Sequence, residues 1–232
     1  MGPVRTRVIQ DEPYRPPPAP VEPWIHRYQL AVFVGLTYAL WWAPYGIGPL
    51  VAAVVVAALA GGRAGLRDVA ARLTRWRVRW YWYPVAVAVP AAAVALAGNP
   101  RWSVAGLVAA LAAETGWRAY ALPRLQAVRA PLPAVLTLAA IVVGGQLPLV
   151  VTGAVGSGGL VATVAGTVWY GWLFNRTGGS ALLTVIGHAV QNLASGPGWP
   201  VWTVAAVVVV VVDRPAWRVL SRGSAAPPRR RR

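Results

Sequence analysis

The 232-residue chain has no cysteine and no lysine, a single methionine, two histidines and six acidic residues. Without cysteine there is no disulfide framework, no thiolate nucleophile and no thiolate metal site. Only 12% of the residues are charged, against 57% hydrophobic. A soluble domain carries about 25% charged residues, and half that amount does not cover a water-facing surface. Intrinsic disorder is excluded on the same ground. The formal net charge of +16 would suggest nucleic acid in a soluble protein. In a chain this apolar it is read first as membrane topology, with no nucleic-acid partner expected.

Eight apolar segments follow a polar start, at 29–44, 46–61, 82–98, 102–121, 132–149, 158–174, 178–195 and 200–213. A bilayer-crossing helix needs about 20 mostly apolar residues, so eight spans use most of the chain. The fold class expected is all-α, a polytopic membrane protein. Turn chemistry marks the breaks: Pro44, Gly61-Gly62, Asn99-Pro100, Pro131, Gly156 to Gly159, Gly178-Gly179 and Gly196-Pro197-Gly198. Residues 1–28 are a proline-rich arm without the apolar core and cleavage site of a signal peptide, so the first apolar segment is expected to stay as an anchor. Residues 29–213 form the membrane-embedded domain and 214–232 a basic tail.

All 22 basic residues are arginine, and all but Arg101 fall in the arm, in the tail, or in the loops and span ends on one side of an eight-span count. Cytoplasmic loops collect arginine, so both termini are expected inside, in the cytoplasmic membrane of a bacterium; the Ala, Gly, Pro, Val and Arg excess points to a GC-rich genome. Within 63–80, Leu66, Val69, Ala70, Leu73 and Trp76 recur at helical spacing with arginines between them, which predicts an amphipathic helix in the interface. Membrane lipids are the first expected partner, and the arginine-rich end of the tail is suited to anionic ones.

Polar groups inside apolar spans are the informative residues. Glu114 is the one carboxylate well inside a span, with Arg118 one turn later; at i, i+4 they share a helix face and can pair. Gln146 interrupts the fifth segment, and His188 and Asn192 lie one turn apart on the seventh. Counting about 1.5 Å per residue from each span's start, Glu114, Gln146 and His188 all reach mid-membrane, where a shared cavity is predicted. Either a structural bridge or a water-polarising role suits Glu114.

The run Glu114-Thr115-Gly116-Trp117-Arg118 through Leu122-Pro123-Arg124-Leu125-Gln126 resembles the first motif of the CAAX-protease and bacteriocin-processing family, intramembrane metalloproteases of the type II CAAX prenyl endopeptidase kind. Trp169 to Ser180 and the His188-x-x-x-Asn192 pair resemble its later motifs. The resemblance implies a membrane-embedded endopeptidase acting on a peptide or prenylated tail. It implies catalytic roles at Glu114, Arg118, His188 and Asn192, and Zn2+ held in part by His188 and Asn192. Two positions depart from the pattern. The Gly-Trp-Arg anchor puts the first, water-activating glutamate at Ala113, and the first metal-ligating histidine falls on Gln146. Three readings follow: a protease with altered catalysis and a weakened or lost metal, a non-proteolytic member that binds membrane peptides in self-immunity or quality control, and, last, a small transporter or scaffold.

Overall fold

Proline and glycine decide where the apolar runs start and stop. The computed structural model describes residues 24–41, 46–98, 100–194 and 198–217; most of the arm and nearly all of the basic tail lie outside them. Among the described residues every regular element is helical: α1 Trp24–Leu40, α2 Gly48–Leu73, α3 Trp82–Ala97, α4 Val104–Glu114, a π-helical segment Thr115–Ala121, α5 Leu122–Val128, α6 Pro131–Val151, α7 Ser157–Arg176, α8 Ala181–Gln191, α9 Trp199–Val212 and a 3-10 turn Arg214–Trp217. Proline occupies the first turn of α2, α5, α6 and α9, where its missing N–H costs no helical bond. The Ser103 hydroxyl caps α4 by accepting from the Gly106 N–H at 2.9 Å.

Each of the eight predicted apolar segments corresponds to a helix. Two described helices, α2 and α6, are long and apolar enough to cross a membrane. The third, sixth and eighth segments match α3, α7 and α9 to within about two residues, whereas the seventh and fourth differ from expectation. The seventh segment yields only the 11-residue α8, about 16 Å long and half of a bilayer core. It packs against α3 and α4, with Ala181, Leu183, Thr184, Val185 and Gly187 buried. The fourth segment does not stop at its predicted end but runs unbroken through the π-helical stretch into α5.

The amphipathic helix expected over 63–80 is shorter than its pattern. Gly62, at φ +54°, breaks α2 between its apolar first half and an arginine-bearing second half. That second half ends at Leu73, where the Thr74 N–H closes on the Ala70 carbonyl. Leu66, Val69 and Leu73 pack inward, whereas Ala70 and Trp76 are exposed. Residues 75–81 are irregular and are held by their carbonyls: the Ser180 hydroxyl donates to Arg75 O at 2.7 Å and the Tyr83 hydroxyl to Trp76 O at 2.7 Å.

The core lies where α2, the π-helical segment, α7 and α8 converge. Phe33 of α1 packs edge-on against Trp117 and tilted against Tyr120, with centroids 5.5 and 5.0 Å away. Gly116 sits against Pro49 of α2, with no room for a Cβ. Four residues after Ala119 stands Pro123, which has no N–H to give the Ala119 carbonyl, so carbonyls of this stretch look for other donors. Buried Arg72, which also pairs with Asp68, donates to one of them, Ala119 O, at 3.4 Å. At the far end Asp213 receives the Trp172 indole N–H at 2.7 Å and Arg176 at 2.9 Å, clasping α7 to the end of α9. Outward-facing Leu59, Leu96, Leu107, Leu136, Val204 and Val208 are exposed, an apolar exterior that matches acyl chains better than water.

Candidate functional site

Glu114 ends α4 and is completely buried. Its Oε1 accepts from Arg118 Nη1 at 3.0 Å, as the i, i+4 spacing predicts, and from His188 Nδ1 of α8 at 2.7 Å. Arg118 is itself buried and lies over the Tyr170 ring, 5.3 Å from its centroid. The imidazole of His188 stacks on the same ring at 5.8 Å and 18°. The four residues form one polar knot inside an apolar bundle, and the two opposite charges in it are paired.

Beside this knot opens a cavity of about 260 Å³. Ala113, Arg118, Gln146, Thr163, Tyr170, His188, Gln191 and Asn192 are among its lining residues, and Glu114 is not. The predicted meeting of the polar groups thus occurs, with one division inside the motif. Successive residues on a helix are turned about 100° from each other. Ala113 faces the cavity while Glu114 faces Arg118 and His188.

A wider hollow of about 720 Å³ continues from this cavity past Ala109, Ala162, Gln146, Gln191 and Asn192 towards Trp199 and Trp202. Alanines and glycines of α3, α4 and α7 form part of its wall. Asn192, just past the end of α8, donates from Nδ2 to Gly106 O of α4 at 2.9 Å. The helices approach closely there: a Cβ on Gly106 would lie 3.3 Å from the Asn192 Cβ. Gln146 of α6 bonds through Oε1 to the Thr163 hydroxyl at 3.0 Å.

Two cavity residues have no site role in the sequence reading, although Tyr170 lies in the Trp169 to Ser180 run. Tyr170 on α7 both stacks on His188 and donates its phenol proton to Gln191 Oε1 at 3.0 Å. Gln191 is three residues after His188, so helical spacing alone would have put it on that face. Other motif residues are structural. Gln126 Nε2 donates to Asn175 Oδ1 at 2.8 Å, a buried bond between α5 and α7. Arg124 donates to Gln29 Oε1 at 2.8 Å and covers the Tyr120 ring at 3.7 Å.

The metal implied by the resemblance can be tested against the donors present. Nδ1 of His188 is committed to Glu114 and Nδ2 of Asn192 to Gly106. That leaves one imidazole nitrogen with amide oxygens from Asn192 and Gln146. Among the described residues no three His, Cys, Asp or Glu side chains converge. Catalytic zinc takes three protein ligands, drawn from imidazole, carboxylate and thiolate, and amide oxygen is a poor substitute. These residues do not fit a catalytic zinc site.

No curated protein matches the chain. Residues 95–194, from the end of α3 to just beyond α8, match the family model described as Type II CAAX prenyl endopeptidase Rce1-like. That stretch contains Ala113, Glu114, Arg118, Gln146, Tyr170, His188, Gln191 and Asn192, the whole polar wall with the knot behind it. The chain therefore carries, over residues 95–194, a domain of the Rce1-like type II CAAX prenyl endopeptidase family.

Proposed function

We propose that this protein is a multi-pass membrane protein with eight apolar segments and both termini on the cytoplasmic side, and that it holds a membrane-associated peptide in the cavity beside His188. Its family is one of endopeptidases. In this member hydrolysis is reduced or lost, and the peptide-holding part of the reaction is what remains. One observation carries this reading. Ala113, at the position where the family pattern has its water-activating glutamate, lines the cavity, while Glu114 is turned away from it and bonded to Arg118 and His188. A methyl group neither polarises water nor accepts its proton. The zinc-poor donor set and the absence of a cavity-facing carboxylate at residue 113 point the same way.

The experiment uses full-length protein in nanodiscs and a panel of apolar and prenylated peptides, with binding followed by tryptophan fluorescence and products by mass spectrometry. Binding without cleavage is expected. Chelator-sensitive cleavage that Glu114→Gln abolishes would overturn this reading and make Glu114 the working base.

The bond from His188 Nδ1 to Glu114 favours one second reading, an altered hydrolysis without metal. A carboxylate that holds one imidazole nitrogen sets the other as a base, as in Ser-His-Asp hydrolases. Cleavage indifferent to chelator and lost in His188→Ala would mark it.

A further inference from the structure

The bundle is packed at one end and hollow at the other. Thr115 to Pro123 are all buried, and so are Ala165 to Asn175 apart from partly buried Trp172. In the earlier turns of the same two helical runs, Ala105 and Gly159 are exposed, and both line the wider hollow of about 720 Å³. Exposed residues in the wall of a hollow mark its mouth. Gly46 and Trp199 are exposed there too, whereas Ala109, Gln146, Ala162 and Asn192 are half-buried. Those four also line the cavity beside His188, so the hollow is the vestibule of that cavity.

The mouth is at the end of the bundle away from the arginines. Ala97 ends α3, Ala105 lies in the first turn of α4 and Trp199 starts α9, and all three are in the wall. The opposite ends carry Arg129 after α5, Arg176 at the end of α7 and Arg214 just past α9. The 20-residue α7 joins the two faces. It is about 30 Å long, as long as a bilayer core is thick, with Gly159 and Ala162 near one end and Arg176 at the other. Arg101, the exception among the arginines, is exposed at the mouth end, and its side chain is not part of the wall.

We infer that the cavity beside His188 is entered from the face opposite the arginines, and that its occupant is an uncharged polypeptide segment presented on that face. With both termini cytoplasmic, this is the extracytoplasmic face. From the arginine face, the buried layer that includes Trp117, Tyr120, Leu122, Leu173 and Phe174 would have to be unpacked first. Charge limits the occupant. Among the described residues none that lines the hollow is charged, and a charged side chain held against that wall loses hydration without gaining a partner. This rests on the reading that the cavity holds a peptide, and adds the side from which the peptide comes and its lack of charge.

The chain has no cysteine, so single introduced thiols report access without background. Ala162→Cys and Ala109→Cys each put a thiol where the hollow meets the cavity, and Ala70→Cys puts one on the exposed side of the arginine-bearing half of α2. Full-length proteins with the melting temperature of the parent are labelled in right-side-out and inside-out membrane vesicles. The reagent is a small membrane-impermeant methanethiosulfonate, which reacts on reaching the thiol and need not bind. Ala162→Cys and Ala109→Cys should label from the face opposite the one that labels Ala70→Cys, and this labelling should be lost when that opposite face is blocked first. Labelling from the Ala70→Cys face, or no labelling of either cavity thiol until the protein is denatured, overturns the inference. N-acetyl-Ala-Val-Leu-amide should slow labelling of Ala162→Cys and leave Ala70→Cys unchanged, whereas N-acetyl-Ala-Asp-Leu-amide should slow neither. Equal protection by the charged peptide overturns the uncharged occupant. If neither peptide protects while the labelling face is the expected one, the peptide-holding reading falls and entry from that face stands.

Discussion

Glu114 and His188, 74 residues apart in the chain, meet at 2.7 Å between a fully buried carboxylate oxygen and an imidazole nitrogen that has its other edge at the cavity. Glu114 reaches the cavity only through its two partners, His188 and Arg118. In metal and triad sites alike, a carboxylate behind a histidine sets its tautomer and aim, and here Arg118 holds that carboxylate in place.

The same arrangement makes Glu114 costly to remove. Glu114→Ala leaves Arg118 buried without its counter-charge, which in protein interiors destabilises by about 3–5 kcal/mol. Replacing both residues by apolar ones of similar size, Glu114→Leu with Arg118→Met, should cost much less, because no lone charge remains. Thermal unfolding of the purified proteins in detergent checks the order. A double mutant as unstable as the single one, or worse, would mean that the pair is not simply a structural bridge, and a direct chemical role for Glu114 would gain weight.

The crossing of α2 with the π-helical segment gives a second expectation. A Cβ at Gly116 would collide with Pro49 backbone and ring atoms, whereas one at Gly35 in α1 meets nothing within 4 Å. Overpacking costs about 1–3 kcal/mol, while alanine exceeds glycine in an open helical position by up to about 1 kcal/mol. Gly116→Ala should lower the melting temperature and Gly35→Ala should leave it unchanged or raise it. An unchanged melting temperature in Gly116→Ala would contradict the close approach.

Much of this architecture is legible in the residues. Apolar runs bounded by proline and glycine locate the helices, and the i, i+4 spacing of Glu114 and Arg118 anticipates their ion pair. Depth counting brings Gln146 and His188 to one cavity. Other features leave no such trace. Within Thr115 to Ala121 no residue spells a wider backbone turn; the one local signal is Pro123 just beyond it, which cannot bond back to Ala119, and Pro49 and Arg72 pack against the stretch. Adjacent residues 113 and 114 must face different ways, but which one faces the cavity depends on α8, seventy residues on. The stripe from Leu66 to Trp76 has helical periodicity throughout, yet the chain leaves the helix at Leu73, because carbonyls 75 and 76 find side-chain donors in Ser180 and Tyr83. Asp213, ordinary as a residue at a span end, proves to be the clasp between Trp172 and Arg176.

Topology is open to direct test through the arginines, all but Arg101 of which lie on one side of the eight-span count. Reporter fusions before residue 24 and after Arg222 should both report the cytoplasmic face. A signal from the opposite face at either site would overturn the eight-span count and put the arm and the tail on opposite sides of the membrane.

The departures at residues 113 and 146 make the last prediction. Gln146 and Ala113 line the same cavity as His188, so changing them alters the donor set without moving a helix. Gln146→His supplies a second imidazole, and imidazole binds zinc far better than an amide does. Zinc affinity, measured by competition with a chelating dye, should rise with this single change, while His188 Nδ1 stays on Glu114 as an outer support. Ala113→Glu then adds a carboxylate that faces the cavity, able to serve as a third ligand or as the base that water needs. Peptide cleavage should therefore require both changes and should vanish when a chelator removes the metal. Tight zinc binding by the parent protein would show that the present donors suffice. Cleavage by Gln146→His alone would show that a base already exists in the cavity, with the Glu114–His188 pair the first place to look for it.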